Sequence, residues 1–205
     1  MQYLADADNY KLGKNSQFEE ILEFWFGKPS QPDYGKPRKV WFVKKSAFDE
    51  EVRSRFLSTY QQAAAGELDT WQDSPRSCLA LILLLDQFPR NLFRNQPQML
   101  ATDPKALSVA QHAVAQGFDQ EFLPVQRWFI YLPFEHSENL QHQHRAVELF
   151  STLEDDLESG ETIDYAYRHL RVIERFGRFP HRNAILGRES TPEEVAFLKQ
   201  PGSSF

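Results

Sequence analysis

The chain has 205 residues, a net charge of −6 and one cysteine. That length fits one domain with one sizeable core, and the charge argues against nucleic acid or an acidic membrane as a partner. Cys78 alone cannot form an internal disulfide, which points to a reducing compartment and a cytoplasmic protein.

The opening stretch "MQYLADADNYKLGKN", residues 1–15, has neither the basic nor the apolar region of a signal peptide and reads as a tail. Residues 16–205 read as a single all-α domain. Ser16 and Glu19 form a capping box ahead of Phe18, Ile21, Leu22, Trp25 and Phe26 at helical spacing, and Gly27 is placed to end that helix. "KPSQPDYGKP" is a loop. A second helix begins near Ser46 to Asp49, carries Phe48, Val52, Phe56, Tyr60 and Ala63 on one face, and stops at Gly66. Ser74-Pro75 opens a third. Its run "CLALILLL" is apolar on nearly all sides, which makes it the central buried helix. That run is far short of the roughly 20 residues of a membrane span.

Asp103-Pro104 opens a fourth helix, which ends at Gly117. Pro124 opens a fifth. Pro133 is expected to interrupt it, with a long helix following from about Ser137 to Glu158 and stopping at Gly160. The next carries Ile163, Ala166, Leu170, Ile173 and Phe176, and "TPEE" at Thr191–Glu194 caps the last. There is no sustained period-two run and no Asn-Gly hairpin. About eight helices in antiparallel pairs, without a strict repeat, is the expected architecture. Aromatic residues make up 14% of the chain, a bulk that such a core has to bury.

Two similar words recur, "LLLDQFPRN" at Leu83–Asn91 and "ERFGRFPHRN" at Glu174–Asn183. A residue before proline is pushed out of the α region, so Phe88 and Phe179 are each expected to end a helix. Arg90, Arg94, Arg178 and Arg182 then stand at helix C-termini, where cations are favoured. Arg168, Arg171, Arg175, Arg178 and Arg182 are spaced three or four apart. Asp164–Arg168 and Glu174–Arg178 are i,i+4 pairs suited to a solvated face. Arg175, Arg178 and Arg182 interleave with Phe176 and Phe179, which argues for partial burial. A half-buried arginine cluster needs carboxylates, Asp86 and Glu138 among them, or a bound anion. The two words are therefore expected to meet in space.

"LPFEHSENLQHQH", Leu132–His144, is the third polar word. Ser137 or His136 is placed to cap the long helix, and His136 with Glu138 makes an acid/base pair. Glu138 and His142, four apart, are a weak metal pair without an HExxH or a cysteine cluster. Neither metal nor cofactor is expected. The chain has no P-loop, GxGxxG or GxSxG, and Cys78 on an apolar helix reads as packing.

"LALILLLDQFPRNLFR", "FIYLPFEHSENLQHQ" and "RFGRFPHRNAILGRESTPEEVAFLKQPGSSF" resemble the signature blocks of domain-of-unknown-function family 924, and "ILEFWFG" and "WFVKKSAFDEEV" resemble its N-terminal blocks. The resemblance implies a single all-α domain of tetratricopeptide-like type and lends no reaction. It adds weight to Asp86, Gln87, Arg90 and Asn91; to His136, Ser137 and Glu138; and to Arg175, Arg178, His181, Arg182 and Asn183. Phe134-Glu135 departs from the aliphatic pair expected there. The ending "PGSSF" suggests that Phe205 tucks its ring and carboxylate into the body.

The sequence thus points first to a polar cleft that binds a small anionic molecule. Asp86, Arg90, Asn91, Arg175, Arg178, Arg182 and Asn183 would hold the ligand, and His136, Glu138 and His181 would move protons. The alternative is a peptide- or protein-interaction module whose arginines clamp a partner's carboxylates or serve the fold.

Overall fold

A computed structural model describes residues 17–203, and every described element is helical. The expected Ser16 cap, the tail 1–15 and the placement of Phe205 lie outside these residues. Helix α1 spans 17–26 and ends at Gly27, whose φ of 84° is cheap only for glycine. Its last carbonyls find donors in the following loop. Arg38 Nη1 donates to Phe24 O at 2.8 Å and to Trp25 O at 2.6 Å, and Trp41 Nε1 donates to Trp25 O at 3.0 Å. Helix α2 runs Ser46–Ala65 and stops at Gly66, φ 90°, as its sequence implies.

The central helix opens on Pro75 after Ser74 and runs to Leu92 without a break, but it changes pitch on the way. Helix α3 (Pro75–Ile82) passes into a π-helical turn at Leu83–Gln87 and resumes as α4 (Phe88–Leu92). Phe88, expected to end the helix, is helical at φ −62°, ψ −38°. The wider turn lets Phe88 N–H reach back five residues to Leu83 O. Pro89 cannot supply an N–H to Leu85 O, four residues before it. The Thr102 hydroxyl supplies that hydrogen bond instead, at 2.6 Å. A proline stop signal is thus overridden by a donor seventeen residues downstream in the chain.

Helix α5 covers Asp103–Ala115 and α6 Pro124–Glu135. Pro133 does not interrupt α6, which is buried from Val125 to Glu135 except at Arg127. Packing on all sides holds it where propensity alone would not. Helix α7 is Leu140–Ser151, capped by Asn139 Oδ1 rather than by Ser137 or His136, and it ends well before Glu158. Thr152 Oγ1 turns back to Leu149 O at 2.7 Å. The acidic run that follows would also add charge to the negative end of the helix dipole. Gly160 does not stop a helix but opens α8, Gly160–Phe176. Gly177, φ 67°, ends α8, Phe179 is extended ahead of Pro180 as expected, and α9 is Pro192–Leu198 behind its Thr191–Glu194 capping box.

Consecutive helices from α5 to α8 pack side by side across short connections, the arrangement of antiparallel pairs. The main core extends from α1 into α8. Its aromatic centre sets Trp25 against Trp41, Phe88 and Phe129, with Phe56 on Phe88 and Phe26 on Phe129. A second, small cluster holds Val172, Ile173 and Phe179 against Phe176 and Phe197. No described helix is long and apolar enough to cross a membrane.

Candidate functional site

Asp86 lies in the π-helical turn and is fully buried. A carboxylate taken out of water needs partners for its oxygens or it keeps its proton. Gln87 Nε2 donates to Oδ2 at 2.6 Å, His136 Nδ1 lies 2.7 Å from Oδ1, and Arg90 Nη1 stands 3.5 Å from Oδ1. Burial would raise the Asp86 pKa, but Arg90, then His136 and Gln87, outweigh it and hold it at about 2. An ionised Asp86 only accepts hydrogen bonds, so the hydrogen between the two sits on Nδ1 of His136.

His136 caps the C-terminus of α6. Burial and then Arg90 lower its pKa by more than Asp86 raises it. The ring is neutral near pH 7 and its Nε2 carries the lone pair. A carboxylate that fixes the tautomer and a histidine nitrogen able to take a proton make an acid–base dyad.

Two arginines flank this dyad. Arg90, one turn beyond Asp86, donates to Asp86 O and forms a two-pronged pair with Asp103 at 3.0 and 3.2 Å. Asp103 is the first residue of α5. Arg182 sits on the short turn Pro180–Arg182. It donates from Nη1 to His136 O at 2.9 Å and lays its guanidinium 4.5 Å from the centre of the Phe179 ring. Its carboxylate contact, Asp103 Oδ2, is 3.9 Å away. Burial and then Arg90 pull the Arg182 pKa down to about 10. Arg182 is a buried cation that Asp86 and Asp103 balance in number together with Arg90, but it has no carboxylate within hydrogen-bond distance. The two Phe-Pro words do meet, through Asp103, which both arginines approach.

Behind the dyad lies a second buried acid. Glu135 Oε1 is 3.1 Å from His169 Nδ1, and its Oε2 has no hydrogen-bond partner among the described residues. His169 Nδ1 also lies 2.9 Å from Tyr165 O. Burial, then the charge of Asp86, push the Glu135 pKa up to about 8, and burial drives His169 down to about 3. Near pH 7 the acid is protonated and the ring neutral.

Glu138 serves a different end from the expected pairing with His136. It accepts from Phe179 N–H at 2.8 Å and from both prongs of Arg188 at 2.7 and 2.9 Å. Burial works against its ionisation, but Arg188 and the Phe179 N–H lower its pKa. His181, next to Arg182, has its ring 5.6 Å from that of Phe179, and burial and then Arg182 lower its pKa to about 4.

The other expected residues lie in separate groups. Asn91 donates to Asp49 at 2.8 Å, beside a two-pronged Arg94–Asp49 pair. Arg178 pairs with Glu194 at 2.6 and 2.8 Å, not with Glu174, and Asn183 and the Thr191 N–H share that carboxylate. Arg175 is on the surface, pairs with Glu193 at 2.9 Å and lies 4.7 Å from the Phe176 ring centre. Arg168 pairs with Asp164 as expected. His142 is held by Ser137 at 2.9 Å and Gln111 at 3.3 Å, not beside Glu138. Two surface cavities lie around Tyr34, Arg76 and Gln126, near the start of α6, whereas Asp86 meets the end of α6.

Asp103, Glu135, His169, Arg188 and Glu194 are the residues that sequence reasoning did not place in these groups. Three of them carry a signal. Asp103 is an acid in the first turn of a helix, Glu194 is the glutamate of a capping box, and Glu135 is a carboxylate inside the apolar run "WFIYLPFE".

A family model described as "Bacterial protein of unknown function (DUF924)" matches residues 21–202. A solved structure of a protein of unknown function from Agrobacterium tumefaciens is similar over 90% of this chain and 98% of its own, at 44% identity and a TM-score of 0.80. No curated protein matches.

Proposed function

The chain belongs to the DUF924 family, whose description carries no reaction, so we propose a function from the chemistry of the seam between α4, α6 and the C-terminal segment. It is a site for a small anionic ligand, with His136 as the group that exchanges a proton with it. The observation that carries this reading is the pairing of a tautomer-fixed His136 with Arg182, whose carboxylate contact is at 3.9 Å. A phosphate or carboxylate group beside Arg182 would supply the close ion pair that Asp103, at 3.9 Å, does not. It would also raise the His136 pKa, since a nearby anion favours imidazolium. A bound ligand whose proton-bearing oxygen reaches Nε2 is then poised for transfer.

Thermal melts in phosphate and in chloride at equal ionic strength test this. A ligand at a hundredfold excess over its Kd raises stability by about 2.7 kcal/mol. Phosphate also stabilises proteins generally by exclusion from the surface, so the reading rests on the excess over that effect. Arg182→Gln removes the excess. Arg178→Gln, whose arginine is engaged by Glu194, keeps it. If Arg182→Gln responds to phosphate as wild type does, the reading is wrong.

A second reading draws on the same distances. Arg90, Arg178 and Arg188 each hold a carboxylate with two prongs. A network so paired fastens the C-terminal segment and needs no ligand. On that reading phosphate gives only the exclusion effect, and the His136 pKa is the same in either salt.

A further inference from the structure

Away from the seam, two loops stand out by charge. Residues 36–45, "KPRKVWFVKK", present four exposed lysines, Lys36, Lys39, Lys44 and Lys45, in a chain of net charge −6. The lysines that form ion pairs among the described residues are Lys28 with Glu23 and Lys105 with Asp69, and none of the four is among them. Phe42 and Val43 stand between them, 59% and 51% exposed. Residues 154–161, "EDDLESGE", are the opposite. Glu154, Asp155, Glu158 and Glu161 are exposed around Leu157, which is 99% exposed. Each loop sets an apolar side chain in water amid like charges, a combination that costs solvation and self-repulsion and is repaid only by a partner of opposite sign.

Both loops are anchored to the same part of one helix. Trp41, buried beneath the basic loop, meets Phe129 at 4.9 Å between ring centres, edge to face. Trp128 Nε1 donates to Ser159 Oγ at 2.7 Å, and Arg127 Nη2 to Thr152 Oγ1 at 3.0 Å, so that α6 also holds the acidic loop. Residues 128 and 129 are neighbours on a helix and diverge by about 100°. The loops therefore flank α6 on adjoining sides, each with an anchored base.

We propose that the partner is a second copy of this chain, joined so that the basic loop of one protomer meets the acidic loop of the other. A twofold arrangement makes this contact twice, because the same surface is presented by both copies. Phe42 and Val43 then cover Leu157 of the other copy at the centre, and the lysines meet the carboxylates at the rim. The attraction is local. At long range two copies of net charge −6 repel, so assembly needs the loops in register.

Sedimentation velocity on the full chain tests the assembly. A dimer is expected at ~0.1 M salt, where a screening length of about 10 Å cuts the long-range repulsion but not the contacts, and a shift towards monomer at ~1 M, where it falls to about 3 Å. Lys44→Glu with Lys45→Glu weakens self-association by about tenfold or more, and so does Asp155→Lys with Glu158→Lys. All four sites are on the surface, and circular dichroism melts check that each variant is folded. Mixing the two variants restores a dimer, since the charge-reversed positions of one loop then face those of the other and the two unaltered loops also meet. A wild type that stays monomeric at ~0.1 M salt, or a dimer that both variants leave unchanged, overturns the proposal. So does a monomer whose lysine loop binds anionic vesicles, which would assign that loop to a lipid surface.

Discussion

The body of the molecule and its C-terminal segment are held by different forces. From α1 to α7 the helices close on a continuous apolar core in which Trp25, Phe88 and Phe129 are fully buried. After Gly177 the chain adds Phe179 and Phe197 to a small apolar cluster with Val172, Ile173 and Phe176 of α8, and much of what ties it down is charge. Arg178 holds Glu194, Arg188 holds Glu138, Glu138 holds the Phe179 N–H, and Arg182 holds His136 O. Burial of apolar area has no charge for salt to screen or pH to titrate, while ion pairs are screened by salt and lost when a partner titrates. The candidate site lies on the seam, with Asp86 and His136 from the body and Arg182 from the segment. It is complete only when both kinds of force are satisfied.

Asp86→Ala gives the largest expected effect. Removing one partner of a buried charge pair costs about 3–5 kcal/mol, because Arg90 and Arg182 are left short of negative charge. The urea midpoint should fall sharply. An unchanged midpoint would remove Asp86 from the seam.

The two regions should also separate with pH, in opposite directions. Glu135 keeps its proton to about 8 in the fold and only to its ordinary 4.5 in the unfolded chain. The fold thus holds an extra proton in that window, and stability from Glu135 is lost as pH rises through it. Glu194, on the segment side, is lowered to about 2 by the Arg178 hydrogen bond against its burial. Its contribution is present above the ordinary 4.5 and is lost as pH falls towards 2. Glu135→Gln should therefore be more stable than wild type at pH 8, a gain that fades towards pH 4. Equal stabilities at pH 8 would mean that Glu135 is ionised in the fold and paired with a charged His169.

Glu138→Gln sharpens the contrast. It loosens Arg188 and one backbone contact, worth about 1–2 kcal/mol in a partly solvated pair. Amide exchange should rise across residues 178–203 while α3 and α6 keep their protection. Uniform loss throughout would show that segment and body unfold as one. The smallest effect is that of salt on wild type. Raising it to ~1 M should speed exchange in the segment modestly and leave the core unchanged.

Helices were legible where the signal was local. Gly27, Gly66, Gly117 and Gly177 all take positive φ, and the Thr191 capping box forms as its residues imply. The errors came where a distant residue decided. Pro89 reads as a stop until Thr102 takes the orphaned Leu85 carbonyl, and Pro133 reads as a break until packing on every side of α6 is known. The site follows the same division. Asp86, Arg90, His136 and Arg182 come together because three conspicuous polar words converge. Arg178 chose Glu194 over the nearer Glu174, and Asp103 became the shared acid of two arginines. Neither choice is written in i,i+4 spacing, since both partners arrive from other elements.

The hydrogen bond from Arg182 to the backbone of His136 also sets an order in time. A chain made from its N-terminus releases Asp86 and then His136 from the ribosome while Arg182 is still to be added. The apolar body can collapse with the dyad already buried and one of its two arginines absent. Of the groups that make the seam, Arg182 is thus synthesised after Asp86 and His136. A nascent or prematurely ended chain would have a folded body and an incomplete site.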